Sequence, residues 1–137
     1  MTFTVRAVTR VAVAVVVAVT LGAVSAQAQK QTGTEFYLAY KAAFDKAKKI
    51  EDIYPFMAAK RLAQMKETPA EDRAMMFEMI KGMGAMTGVK VLKETPTATG
   101  ATLDVEGVGE DKSKQTGTIS LVKEAGAWKV DQESWKN

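Results

Sequence analysis

Beyond about residue 30, hydrophobic and polar positions alternate with a helical period over the first half of the remaining chain and with a period of two over the second half. Phe36, Tyr37, Tyr40, Ala43, Phe44 and Ala47 fall on one helical stripe, and Lys41, Asp45 and Lys48 lie mostly off it. Thr32 and Glu35 stand ahead of the stripe at the spacing of a capping box. Pro55 suits the first turn of a second helix, which runs to about Lys66. Thr68-Pro69-Ala70-Glu71 predicts the start of a third, with Thr68 as cap, Pro69 at the first helical position and Glu71 completing a box. That helix fades over Gly82, Gly84 and Gly88, because each glycine costs about 1 kcal/mol in a helix interior.

From Val89 onward four strands are expected, at about Val89–Glu94, Ala101–Gly107, Gln115–Lys123 and Ala127–Glu133. Thr95-Pro96-Thr97 with Gly100, then Gly109-Glu110-Asp111-Lys112, then the tight Glu124-Ala125-Gly126 turn connect them. Connections this short imply an antiparallel meander. Alternation places Val89, Val91, Ala101, Leu103, Val105, Ile119, Leu121, Trp128 and Val130 on one face. It places Thr102, Asp104, Glu106, Thr118, Ser120, Lys129 and Asp131 on the other. With one apolar face, the helices are expected to cover a single side of the sheet in a two-layer α+β domain.

The N-terminus has a different character. Arg6 and Arg10 precede an apolar run, Val11 to Val24, followed by Val24-Ser25-Ala26 and Ala26-Gln27-Ala28. A charged stretch, a short apolar run and small residues in A-x-A spacing are the pattern of a cleavable secretory signal peptide. A run of about fourteen residues is short of the roughly twenty that span a bilayer. Cleavage is expected after Ala28, with Ala26 as the alternative, leaving a polar tether at 29–33 and one domain at 34–137. Periplasmic or secreted protein without a stable membrane anchor is the implied address.

Removal of that segment changes the meaning of the charge. Two of the 19 basic residues go with it, against 16 acidic ones, so the basic pI largely belongs to the discarded part. Lysines and glutamates interleave in the remainder, whereas a nucleic-acid partner calls for a basic face or stripe. With no cysteine, no disulfide supports an exported fold, and a lipoprotein anchor is excluded. The absence of both cysteine and histidine also removes Cys–His and Ser–His nucleophile systems and nearly all zinc sites. No metal or organic cofactor is implied.

Three helices followed by four antiparallel strands, with a last hairpin running Gly117-Thr118-Ile119-Ser120-Leu121-Val122-Lys123-Glu124-Ala125-Gly126-Ala127-Trp128-Lys129-Val130-Asp131, resemble the NTF2-like (cystatin-like) superfamily. The likeness is to its small exported bacterial branch, the DUF4878-like or lumazine-binding-like domains. It implies helices packed on one face of a curved four-stranded antiparallel sheet, the NTF2-like cone. Members range from isomerases and dehydratases to noncatalytic binding modules, so it implies a fold and no particular reaction. The superfamily's enzymes work from acids, and sometimes histidines, inside the cone. Here histidine is absent and alternation directs Asp104, Glu106 and Asp131 to the outer face, out of reach of a substrate proton.

The leading expectation is a noncatalytic exported domain that binds a small apolar ligand or a protein partner. The alternative is an isomerase- or dehydratase-type enzyme, which requires a carboxylate or a Tyr–carboxylate pair facing inward. Candidate ligand contacts are Tyr37, Tyr40, Met79, Met83, Leu103 and Trp128, with Tyr54 a further hydroxyl. Met76, Met79, Met83 and Met86 recur at helical spacing, read first as core. They are read second as an adaptable apolar surface and third as soft thioether ligands for Cu(I). Core packing is the commoner role of tyrosines and Trp128. Trp135 is expected to pack over the domain's edge, and Lys46, Lys48 and Lys49 to form a solvated helix end. A homodimer through the sheet face is compatible with this fold.

Overall fold

The computed structural model describes residues 31–136; the expected signal peptide and cleavage site fall outside them. Helix α1 (Gly33–Lys46) opens with the anticipated box: the Thr32 hydroxyl accepts from the Glu35 N–H at 3.1 Å, and the Thr32 N–H donates to the Glu35 carboxylate at 2.9 Å. Gly33 is already helical and buried, so the tether ends earlier than expected. A 3₁₀ segment, Ile50–Phe56, contains Pro55 and precedes α2 (Ala59–Glu67). Pro55 therefore does not open α2. That role passes to a distant acid, since Glu124 accepts the Ala59 N–H at 2.9 Å.

The third helix also starts later than expected. Ala70–Asp72 is a 3₁₀ turn, and α3 runs Arg73–Met83 with Gly84 at its end. Thr68 caps nothing; its hydroxyl contacts the Met76 sulfur at 3.2 Å, and Arg73 Nε donates to the Thr68 carbonyl. Two lysines cross between helix ends. Lys41 Nζ donates to the Gly84 carbonyl at 3.0 Å, and Lys81 Nζ donates to the Phe44 carbonyl at 2.8 Å. Each ammonium thus meets the negative end of the other helix, and both lie over the Phe44 ring. Lys41 is buried, contrary to its place off the stripe; its stem packs as hydrocarbon while its head finds a carbonyl.

Strands β1 (Thr87–Pro96), β2 (Gly100–Val108), β3 (Lys114–Glu124) and β4 (Ala127–Lys136) form one antiparallel sheet in the order β1-β2-β3-β4. Ala125 and Gly126 make the last turn with φ of 50° and 78°, the left-handed geometry that matches hairpin twist. Gly100 is fixed by a close approach: a Cβ there would stand 2.0 Å from the Leu121 carbonyl oxygen. Helices and 3₁₀ segments bury one face of the sheet in an α+β arrangement. Tyr37, Ile50, Ile53, Met57, Leu103 and Ile119 lie among the fully buried side chains.

Bulges in both edge strands break the alternation, and one in each strand re-aims a glutamate. In β1, Val91 pairs with Val105 and Lys93 with Asp104, leaving Leu92 as the extra residue. In β4, Val130 pairs with Leu121 and Gln132 with Ser120, leaving Asp131 extra. Two residues then oppose one, and every side chain beyond the bulge changes face. Glu94 comes opposite the core residue Leu103, and Glu133 comes opposite the core residue Ile119. Both glutamates therefore turn toward the helices.

Candidate functional site

The two inward glutamates meet different fates. Glu94 accepts from the Thr34 hydroxyl at 2.7 Å and from the Thr34 N–H, which ties the sheet to the positive end of α1. Glu133 has no such partner. Its Oε1 is buried and accepts no hydrogen bond among the described residues.

The surroundings of Glu133 follow from how α2 docks. Met57 bridges to Val130 in parallel, and the Ala58 N–H donates to the Val130 carbonyl at 2.9 Å. The outer edge of β4 is thereby covered just before its bulge. Residues one turn into α2 are carried over the residues that follow Val130. Lys60, Arg61 and Gln64 of α2 and Asp131, Gln132 and Glu133 of β4 line a cleft of about 370 Å³. Asp131 was expected on the outer face; as the bulge residue it lines this cleft instead.

The aromatics of α1 lie outside this lining but within the electrostatic reach of Glu133 and Arg61. Tyr37 is fully buried, and its hydroxyl has no hydrogen-bond partner among the described residues. Arg61 Nη1, Tyr54 Oη and Trp135 Nε1 are likewise buried and unpartnered. Burial raises the Tyr37 phenol far above its ordinary range, the Glu133 and Tyr40 charges adding to the effect and Arg61 opposing it. Tyr40 is raised in the same way, by burial first and then by the Glu133 charge, with Arg61 opposing. Both phenols stay protonated throughout physiological pH, able to donate as well as accept. Aromatic contacts hold their rings: Tyr37–Tyr40 centroids are 5.9 Å apart and Tyr40–Phe56 centroids 5.7 Å.

Tyr37 and Tyr40 alone of the nominated residues meet at this cluster. Leu103 is fully buried in the hydrocarbon core. Trp128 packs at the far end of β4, its indole N–H donating to the Gln31 carbonyl at 2.7 Å and the Lys123 ammonium lying over its ring. It borders a different cleft of about 590 Å³, with Glu94, Lys123 and the β1–β2 turn.

The core reading of Met79 and Met83 is corrected: they are 59% and 65% exposed, with Met75 more so, while Met86 is buried and Met76 half-buried. The helix turns Phe77, Met76 and Ile80 toward the core. Met75, Met79 and Met83 therefore share an outward stripe, which leaves their thioethers accessible but assembles no ligand set with Tyr37 or Tyr40. Among the described residues no group of three or more His, Cys, Asp or Glu is placed to hold a metal.

Glu133 and Asp131 were missed as site residues because strict alternation does not foresee the bulge, and Arg61 because its place depends on how α2 docks. One signal was present: Trp135, two residues beyond Glu133, is a large aromatic that unbroken alternation from Val130 would turn to the solvent side. The structure sets it opposite Gly117, whose missing side chain gives the indole room.

None of the described helices is long and apolar enough to cross a membrane. No protein-family model, curated protein or solved structure matches the chain.

Proposed function

We propose that this chain is an exported NTF2-like binding module that takes a small ligand into the recess between α2 and β4. Arg61 and Glu133 line it, and the buried hydroxyls of Tyr37 and Tyr40 lie in their field. The carrying observation is the Tyr37 hydroxyl, fully buried and without a partner among the described residues, in the field of a carboxylate and a guanidinium that each leave a buried atom unpaired among them. Leaving one such group unsatisfied costs about 1–3 kcal/mol. Buried polar atoms are otherwise almost always paired, and exceptions cluster where a protein does something with them. The expected apolar ligand is thereby revised to a polar one, since Lys60, Arg61, Gln64, Asp131, Gln132 and Glu133 line the recess.

The compartment fits a binding role that needs no disulfide and no cofactor. Native mass spectrometry of protein isolated from its own envelope fraction should show a noncovalent small-molecule adduct. Replacing Tyr37 by Phe and Glu133 by Gln together should remove it. Adduct-free wild-type protein, with no small molecule perturbing the amides of α2 and β4 in an NMR screen, would overturn the reading.

A second reading is favoured by one observation, the inward carboxylate beside two protonated phenols. This is the Tyr–carboxylate pair that an isomerase-type enzyme requires: Glu133 to take a proton, Tyr37 or Tyr40 to donate to a developing oxyanion. It predicts deuterium wash-in next to a carbonyl of the bound ligand, abolished by Glu133→Gln; wash-in unaffected by that change would dismiss it.

A further inference from the structure

The α2–β4 cleft is dipolar. Its α2 wall carries Lys60 and Arg61, and its β4 wall carries Asp131 and Glu133. These opposed charges do not reach one another: among the described residues the ion pair is Lys114 with Glu106, at 2.6 Å and elsewhere on the sheet. Arg61 Nη1 and Glu133 Oε1 are both buried, and each lacks a hydrogen-bond partner among the described residues. Oppositely charged groups that face a common space without closing on each other are complementary to a molecule bearing both signs. A simple cation meets the lysine and arginine of α2, a simple anion meets the two carboxylates of β4, and a neutral molecule leaves both walls uncompensated.

Resting on the binding reading above, we infer that the recess takes a small zwitterion of amino-acid or dipeptide size, its carboxylate on Arg61 and its ammonium on Glu133. The guanidinium fork matches a planar carboxylate in two parallel hydrogen bonds. The acceptor-only carboxylate of Glu133 suits an ammonium, which has donors and no acceptor. The Tyr37 hydroxyl, placed within the fields of both groups, completes the polar end. The volume of about 370 Å³ lies at the small end of ligand pockets, which run from about 300 to 1,000 Å³.

The test is an NMR titration of the signal-free chain with four probes. Leucine and dialanine carry both charges; isocaproate lacks leucine's ammonium and isoamylamine lacks its carboxylate. Leucine or dialanine should saturate shifts of α2 and β4 amides, with isocaproate and isoamylamine at least about tenfold weaker than leucine, each having lost one charged hydrogen-bonded contact.

The variants should cross over. In Glu133→Gln, leucine should lose its advantage over isocaproate and keep it over isoamylamine. In Arg61→Gln, the reverse should hold. These are ratios within one folded variant, so a general loss of stability does not imitate them, and Lys60→Gln at the rim should weaken both zwitterions only a few-fold. A single-charge probe binding as tightly as leucine, or variants that fail to cross over, overturns the zwitterion. If neither zwitterion binds while a co-purified adduct still occupies the recess, the ligand class falls and the binding site stands. If neither zwitterion binds and no adduct is found, both fall.

Discussion

Raising the pH from about 10 to about 12 is expected to cost the domain about 5 kcal/mol through Tyr37 and Tyr40 alone. Unfolded tyrosines ionise near pH 10. In the folded protein burial holds both phenols protonated well above that point, with Glu133 adding to the effect. The native state therefore binds more protons than the unfolded one across this window. The stabilisation is fully present below the unfolded value and is lost as pH rises toward the folded one. Each phenol contributes a slope of about 1.4 kcal/mol per pH unit. Lys41 works in the opposite sense: its pKa is lowered chiefly by burial, so it favours the folded state as pH climbs to its unfolded value near 10.4. Urea midpoints at successive pH values, for the wild type and for a Tyr37→Phe, Tyr40→Phe double variant, isolate the phenol part. The double variant should lose most of the alkaline slope. Equal slopes would mean that the two hydroxyls are solvated.

Leu103→Ala is expected to destabilise the fold by about 2–5 kcal/mol, the range for truncating a buried leucine. Leu103 was read from the sequence as a ligand contact, but it sits fully buried on β2 with Ile119 beside it on β3. The cost combines lost transfer energy with the cavity left among side chains held by four paired strands. For a domain near 100 residues that lowers the melting temperature by upwards of about 10 °C. An unchanged urea m-value should accompany the shift, since the same surface is exposed on unfolding. A loss below about 1 kcal/mol would instead put Leu103 on the wall of an open cavity.

Much of this architecture is legible in short-range pattern. The Thr32–Glu35 box, the aromatic stripe of α1 and the four strands with their turns each depend on neighbours within a few residues, which a sequence displays. Features set by distant partners are not displayed. Pro55 satisfies a local rule for opening a helix, yet Glu124, on another strand, provides the acceptor that α2 uses. The methionine spacing is helical as expected, but which side faces inward depends on where α3 rests, and Phe77 and Ile80 take the inner side. At the candidate site, Tyr37 and Tyr40 are readable because α1 is regular. Glu133 is not, because a bulge at Asp131 contains no glycine and leaves no mark on composition. Arg61 is half-buried on α2, and only the docking of Met57 and Ala58 on Val130 explains why it faces the site.

The central claim is that the bulge turns Glu133 toward the helices, and thiol labelling tests it most directly. The chain has no cysteine, so single replacements report on one position each. Gln132→Cys, Glu133→Cys and Ser134→Cys would be treated in turn with a water-soluble thiol reagent under native conditions. With Glu133 opposite Ile119, Gln132→Cys and Ser134→Cys should label quickly and Glu133→Cys at least about tenfold more slowly. Unbroken alternation from Val130 requires the opposite order. Fast labelling at 133 with protection at 132 and 134 would contradict the account.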